Sequence, residues 1–264
     1  MDLLLSDVTT FGLRHILSLV ISLALVVFLF ILAKKKNLTI KKATDIMFIV
    51  GIISETLKVF TYIVRNESSL HGYLPKGDLP FHLCSIQIIF LLILKLTSSE
   101  KTKRFLYSFM APTCLFGGLL AMVLATWSSR NVWIITFQYF GYHAGIMIYS
   151  LLLFTSKEIN FNVKDYVNCL IMFVAIAFIA IYLNSIVFDL SEGLEGTSNV
   201  NFMYIINPPM EDLPFLNKDH GWLVYACHLV STAVLIFTLC YIKPIIDFFK
   251  SLKRKNKEEI NTNE

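Results

Sequence analysis

Apolar windows of about 20 residues recur from one end of the chain to the other, and each is long enough to cross a bilayer as a helix. The hydrocarbon core is roughly 30 Å thick, so a helix that rises about 1.5 Å per residue needs about 20 residues to span it. Of the 264 residues, 56% are hydrophobic and only 16% are charged. A water-soluble fold of this length has too little interior to bury so much apolar surface. The sequence therefore predicts an all-α membrane protein with about seven transmembrane helices.

The seven predicted spans form a single polytopic membrane domain over residues 1–252, and residues 253–264 are predicted to be a charged, disordered cytoplasmic tail. Asp2 and Asp7 are the charged residues before the first span, which therefore lacks the basic segment of a signal peptide. We expect the first span to be retained in the mature protein. The spans are predicted at residues 13–33, 43–64, 80–96, 105–125, 132–155, 166–188 and 221–242.

Lysine and arginine are concentrated in alternate connections between the spans, which indicates how the chain is oriented. Short loops that are rich in these residues stay in the cytoplasm. The longest loop on the opposite side, residues 189–220, is rich in Asp and Glu instead. We therefore predict that the N-terminus is outside and the C-terminus cytoplasmic. The basic residues that decide this are Lys34, Lys35, Lys36, Lys41, Lys42, Lys95, Lys101, Lys103, Arg104, Lys157, Lys164, Lys243, Lys250, Lys253, Arg254, Lys255 and Lys257.

Several classes of protein are disfavoured by the same sequence. The net charge of +4 is accounted for by the cytoplasmic flanks of the spans, so no nucleic-acid partner is predicted. A retinal-binding receptor is disfavoured because Lys243 lies at the end of the last span, with no lysine inside it. No metal ion or other cofactor is expected, since no His-x-x-x-His or Cys-x-x-Cys spacing is present. A disulfide framework is unsupported because all five cysteines fall within spans: Cys84, Cys114, Cys169, Cys227 and Cys240.

Strongly polar groups inside the predicted spans gather in the half of the bilayer nearer the outside. Such groups are costly in a membrane, so they tend to face a protein interior or a water-filled cavity and to mark function. At about 1.5 Å of rise per residue, they lie about 6 to 15 Å below the outer boundary. We expect a polar cavity that opens outward. Its predicted members are Glu55, Lys58, Cys84, His143, Asn184 and His228.

The third span opens with the sequence Leu79-Pro80-Phe81-His82-Leu83-Cys84. Because proline is favoured at the start of a helix, Cys84 is predicted in the first turn, on one face with Gln87. The helix dipole favours a thiolate there, and an imidazole that accepts the thiol proton would complete the arrangement for nucleophilic catalysis. A structural role is the alternative for each of these side chains. The candidate bases are His82, His143 and His228.

Glu55 and Lys58 are a second candidate feature, since both are ionisable and lie within the second predicted span. Their spacing of three residues puts them on one helical face, where they can neutralise each other. Mutual pairing is one interpretation, and direct contact with a substrate is the other.

At these positions the sequence resembles the YwaF-like bacterial integral membrane proteins, whose eukaryotic branch is a transmembrane acyltransferase that remodels ether phospholipids. The residues that carry the resemblance are 79–84, Tyr142-His143 and the outer-loop segment 201–209. The resemblance implies that Cys84 accepts an acyl chain and that His143 assists as a base. It also implies that the outer-loop segment, with Asn201 and Tyr204, contributes to substrate binding. The chain is similar, too, to the androgen-induced membrane hydrolases of branched fatty-acid esters.

Two functions follow as hypotheses. The first is an intramembrane enzyme that transfers or hydrolyses lipid acyl groups through a Cys84 thioester, with phospholipids as donor and acceptor, in the plasma membrane of a bacterium. Its proposed binding residues are Glu55, Lys58, Gln87, Asn184, Asn201 and Tyr204. The alternative is a protein that binds or transports a small solute through the outward-facing polar cavity, which needs no nucleophile.

Overall fold

The computed structural model describes residues 11–64, 74, 76–125, 133–188, 200–209, 213 and 216–262. Within those residues the chain forms eight α-helices and two short 3₁₀ turns, and it contains no strand. The 3₁₀ turns lie at Lys76–Asp78 and Phe202–Tyr204. The helices are α1 (Leu13–Lys35), α2 (Ile40–Val64), α3 (Ile86–Leu96), α4 (Glu100–Val123), α5 (Trp133–Thr155), α6 (Val163–Val187), α7 (Trp222–Cys240) and α8 (Ile242–Thr262).

Five of these helices, α1, α2, α4, α6 and α7, are long and apolar enough to cross a membrane. In all of them except α4, between 11% and 22% of the apolar window is buried, so most of it faces outward. Side chains such as Phe28, Phe60 and Tyr182 are more than half exposed, which suits contact with lipid chains. The prediction of an all-helical, multi-pass membrane protein is confirmed. The count of seven spans and the orientation of the termini stay predictions.

α5 is the central helix of the bundle and packs against α1, α2 and α4. It is not among the five candidate spans, although it has 23 residues, because Thr136, Gln138 and His143 lie among the apolar and aromatic residues of its first half. A helix that is surrounded by protein needs no lipid-facing apolar surface, so it can carry polar side chains that bond its neighbours. Tyr142, His143 and Tyr149 are buried on it. Gln138 Nε2 donates a 2.6 Å hydrogen bond to Ser54 Oγ on α2.

Two of the helix ends carry recognisable capping motifs. α1 ends where Asn37 takes a left-handed conformation, with φ of 49°. Leu38 N then donates to Ala33 O at 3.0 Å, which satisfies one of the last carbonyls of the helix. α6 begins with a capping box, in which the side chains of Asn162 and Asp165 each accept from the other's backbone N–H.

Pro112 lies inside α4 and leaves one carbonyl of that helix without its usual donor. Since proline has no N–H, Ser108 O cannot accept from position 112. The hydroxyl of Tyr241, the residue between α7 and α8, donates to Ser108 O at 2.6 Å instead. Ser150 Oγ on α5 donates to the neighbouring carbonyl of Ala111. Near Pro112, therefore, α4 accepts hydrogen bonds from α5 and from the residue that follows α7.

Two boundaries differ from the predictions. The third span is predicted from residue 80, but α3 begins at Ile86, because the residues before it form tight turns. Residues from 253 onward are predicted to be disordered, yet α8 continues to Thr262. Apolar residues in α8 recur at three- and four-residue spacing, as at Ile242, Ile246 and Phe249, which is typical of an amphipathic helix.

Candidate functional site

Residues 79–85, called here the cysteine turn, connect the first 3₁₀ turn to α3. The proline of this turn has no N–H, and Phe81 N donates across it to the carbonyl of residue 79, at 2.7 Å. The helical pattern of hydrogen bonds starts only where Ile86 N donates to His82 O, at 3.0 Å. Cys84 therefore lies in the turn that precedes α3, whereas the sequence predicts it in the first turn of a helix.

Cys84 is half-buried and is held by contacts from other helices. The phenol hydroxyl of Tyr142, on α5, donates to Cys84 O at 2.8 Å. The side chain and the backbone of Ser85 lie near the thiol and interact with it electrostatically. Lys58 on α2 and Cys114 on α4 lie within electrostatic range of the thiol. The thiol thus sits where α2, α4 and α5 meet the start of α3.

Gln87, in the first turn of α3, is fully buried. Its Nε2 donates to Leu83 O at 3.0 Å and to Thr113 Oγ1 on α4 at 3.2 Å. Thr113 Oγ1 gives its own hydrogen to Phe109 O, so it must accept from Gln87, which fixes the orientation of the amide. Gln87 Oε1 has no hydrogen-bond partner in the described structure. Both N–H groups are used, so Gln87 can offer a ligand an acceptor but no donor.

His143, on α5, is buried and directly follows Tyr142, the residue that hydrogen-bonds the cysteine turn. Its Nδ1 lies 2.6 Å from Tyr139 O, and because a carbonyl only accepts, Nδ1 carries the proton. In the neutral ring, Nε2 then holds the basic lone pair. The ring of Tyr142 lies 5.7 Å away, centroid to centroid. α4 approaches closely here, since a Cβ on Gly118 would lie 2.9 Å from His143 O.

His82 lies under the outer-loop segment that carries the second 3₁₀ turn. Its Nε2 donates to Gly77 O at 3.1 Å. Its ring packs edge-on against Phe202, at 5.4 Å between centroids, and lies 5.8 Å from the Tyr204 ring. Phe81 also packs edge-on against Phe202, at 5.5 Å. The structure therefore brings the two quoted motifs, at residues 79–84 and 201–209, into contact.

Residues 200–209, called here the covering segment, are folded by two asparagines. The buried Asn184 on α6 accepts from Phe202 N at 2.8 Å and donates to Phe202 O at 3.2 Å. Asn201 Oδ1 accepts from Ile206 N at 3.0 Å, and its Nδ2 donates to Asn207 O at 2.7 Å. Both amides, predicted to bind substrate, make these bonds to the backbone of the covering segment. Their visible role is to shape it.

Two consecutive residues of the covering segment have left-handed backbones. Met203 has φ of 58° and Tyr204 has φ of 55°. Each such conformation costs a non-glycine residue roughly 1–2 kcal/mol, so neighbouring contacts must hold it in place. The hydroxyl of Tyr225 donates to Tyr204 O, and Trp222 Nε1 donates to Ile205 O at 3.0 Å. α7 therefore helps to hold the segment over the cysteine turn.

Glu55 and Lys58 are paired with each other, as one interpretation of their spacing predicts. The Lys58 ammonium lies 2.8 Å from Glu55 Oε2. It also donates to Asp78 O at 2.8 Å, while the Tyr62 hydroxyl donates to Asp78 Oδ2 at 2.7 Å. These contacts fasten α2 to the 3₁₀ turn that precedes the cysteine turn.

His228 lies on the exposed face of α7, as does its neighbour Cys227. That helix buries only Tyr225 and Phe237. The structure thus places His228 at the periphery of the bundle, in contrast to His82 and His143. Among the residues that the structure describes, no group of three or more His, Cys, Asp or Glu is arranged to hold a metal ion.

A buried polar cluster that was not predicted lies at the start of α1. Arg14 donates to Thr136 Oγ1 on α5 at 2.7 Å and lies over the Trp133 ring, 4.1 Å from its centroid. His15 Nε2 donates to Met122 O on α4 at 2.7 Å. The signal was available, because an arginine and a histidine interrupt an otherwise apolar window. Thr113 gives no such signal, since a lone threonine in a helix is common.

An all-helical bundle with five candidate spans, whose interior holds the buried side chains of Gln87 and His143, defines the class of this protein as a multi-pass membrane protein. The chain belongs to the TMEM164 family, whose model matches residues 10–241. The match covers the cysteine turn, α5 and the covering segment. No curated protein and no solved structure was found to match the chain.

Proposed function

We propose that this protein transfers acyl groups between membrane lipids through a thioester on Cys84. The observation that carries the proposal is the half-buried Cys84 thiol, fastened by Tyr142 to the helix that also carries His143. A nucleophile needs a fixed position and a base, and in this proposal α5 carries the anchor, Tyr142, and the base, His143, at adjacent positions. The resemblance to lipid acyltransferases over residues 79–84 supports the same assignment.

In the first half of the reaction, His143 Nε2 takes the thiol proton, and the Cys84 sulfur attacks the carbonyl carbon of a phospholipid ester. The carbon–sulfur bond forms, the ester carbon–oxygen bond breaks, and the departing lysolipid oxygen takes the proton back from His143. In the second half, the hydroxyl of an acceptor lipid loses its proton to His143 and attacks the thioester. The carbon–oxygen bond of the new ester forms, the carbon–sulfur bond of the thioester breaks, and the departing Cys84 sulfur takes the proton from His143, which restores the thiol.

Gln87 fits the second half of this reaction better than the first. With both N–H groups engaged, it cannot stabilise an oxyanion by donating to it. A buried acceptor without a partner costs about 1–3 kcal/mol, which a ligand hydroxyl would recover. We assign to Gln87 Oε1 the role of accepting a hydrogen bond from the hydroxyl of the acyl acceptor. The donor lipid lies in the outer half of the bilayer of a bacterial plasma membrane.

Intact-mass spectrometry of the purified protein, incubated with phosphatidylcholine vesicles, tests the thioester. Wild type is expected to gain one acyl mass that hydroxylamine removes, and Cys84→Ala is expected to gain none. Cys114→Ala is the matched control, because Cys114 lies near Cys84 but is fully buried, and it should gain the adduct like wild type. An adduct that persists in Cys84→Ala, or a wild type that gains none, refutes the proposal.

Solute binding or transport, the alternative, predicts the opposite pattern of variants. It requires that Cys84→Ala keep full function while Glu55→Gln or Lys58→Met abolishes ligand uptake. The ion pair between these two residues and the bond from Lys58 to Asp78 O leave them less available to a solute. The alternative therefore draws less support from the site than acyl transfer does.

A further inference from the structure

A polar cavity lies at the opposite end of the bundle from the cysteine turn, where the lysine-rich connections are. Its volume is about 630 Å³, within the range of cavities that bind small ligands. It is bordered by the first turns of α2 and α4, the last turn of α3 and the connection between α5 and α6. Four cationic side chains line it: Lys41, Lys95, Lys103 and Arg104.

Three of these cations already have carboxylate partners. Lys95 lies 2.5 Å from Asp45, and Lys103 lies 2.6 Å from Glu100. Arg104 makes a two-pronged contact with Asp165, at 2.7 and 2.8 Å, and Asp165 does not line the cavity. Glu158, the third carboxylate of the wall, accepts from a backbone N–H of α2. Lys41 has no ion pair in the described part of the chain, so its charge is available to a ligand.

The rest of the wall also suits an anion. The N-terminal turns of α2 and α4 both border the cavity, and the partial positive charge of a helix N-terminus attracts anions. Tyr107 contributes a hydroxyl to the wall, whereas Thr44 Oγ1 already donates to Ile40 O at 2.8 Å. Ile40 and Leu94 supply apolar surface beside these polar groups. A ligand with a negative head and an apolar portion matches this lining.

We propose that this cavity binds a phosphate ester, with the Lys41 ammonium as the group that attracts it. Lysine-rich connections at the ends of membrane helices lie at the level of lipid headgroups, so the phosphodiester of a membrane phospholipid is one source. A water-soluble phosphate ester is the other. The site is independent of the proposed chemistry at Cys84.

Two probes distinguish the sources when they are titrated into the full-length protein in a nonionic detergent. One is dihexanoylphosphatidylglycerol, a short-chain lipid, and the other is glycerol phosphate. Lys41→Gln removes the cation without leaving a carboxylate unpaired, and Lys42→Gln is its matched control, because Lys42 is the next residue but does not line the cavity. The dissociation constant of each probe is measured for each variant.

Lys41→Gln is expected to raise the dissociation constant about fivefold, the effect of one cation near a lipid headgroup, and Lys42→Gln to change it little. If this difference is seen with both probes, the phosphate alone is recognised. If it is seen only with the lipid, the acyl portion is needed as well. Equal effects of the two substitutions, or no binding of either probe, overturn the proposal. Either result leaves the thioester test at Cys84 unaffected.

Discussion

The hydrogen bond from the Tyr142 hydroxyl to Cys84 O holds the cysteine turn to the central helix, α5. Tyr142→Phe removes it, and we expect a loss of about 1 kcal/mol in the free energy of unfolding. We also expect acyl transfer, measured as kcat/KM, to fall at least about tenfold, because a nucleophile that is held less firmly reaches its substrate less often. A lipid acyl-transfer assay and a denaturant titration of the same preparation measure both quantities.

Tyr139→Phe is the matched control for this prediction. Tyr139 is one turn away on α5, and its hydroxyl also donates to a backbone carbonyl, that of Ala121, at 2.5 Å. The two substitutions should cost similar stability, but only Tyr142→Phe should slow transfer. Equal rates for the two variants would mean that the Tyr142 bond is structural and has no part in catalysis.

Single residues divide into those that the sequence identified and those that it did not. Cys84 and His143 could be selected because a thiol and an imidazole in a membrane span are chemically conspicuous. The pairing of Glu55 with Lys58 followed from helical spacing alone. The unpartnered acceptor of Gln87 could not be predicted, since the orientation of the amide depends on Thr113, from another helix, accepting one of its two N–H groups.

Within α4, the proline and its replacement donor make a second prediction. Tyr241→Phe leaves Ser108 O buried without a donor, which we expect to cost about 1–3 kcal/mol. Pro112→Ala supplies a new N–H at the position that normally bonds Ser108 O. In that background, Tyr241→Phe should therefore cost less. Unfolding of the four proteins in a double-mutant cycle measures the coupling, and additive costs would contradict the interpretation.

The helix boundaries show how far the periodicity and length of apolar segments suffice to predict the helices. Helix type and approximate position were predictable, because a bilayer allows few other ways to satisfy a backbone. The late start of α3 was not predictable, because proline is compatible with both a helix start and a tight turn. The hydrogen bonds of the cysteine turn select the tight turn. The length of α8 was not predicted, because a highly charged segment is typical of a disordered tail as well as of an amphipathic helix.

For the whole molecule, the charge asymmetry predicts that the Cys84 end of the bundle faces outward. Asp219→Cys, exposed before α7, should then react with a membrane-impermeant maleimide in intact cells. Lys157→Cys, exposed between α5 and α6, should react only after the membrane is permeabilised. Wild type gives the background from its own cysteines. The reverse pattern of labelling would invert the orientation and place the proposed acyl-transfer site on the cytoplasmic side.

The sequence by itself determined that this protein is a helical bundle in a membrane, because the length and composition of its apolar windows leave the backbone no other stable arrangement there. It also determined which side chains carry reactive chemistry. Only the tertiary structure decided which of them meet. It placed α5 at the centre, joined Tyr142 to Cys84, left His228 at the periphery, and formed the cavity beside Lys41 from three helix ends. Those contacts join residues far apart in the chain, and helix packing fixes them where local periodicity does not.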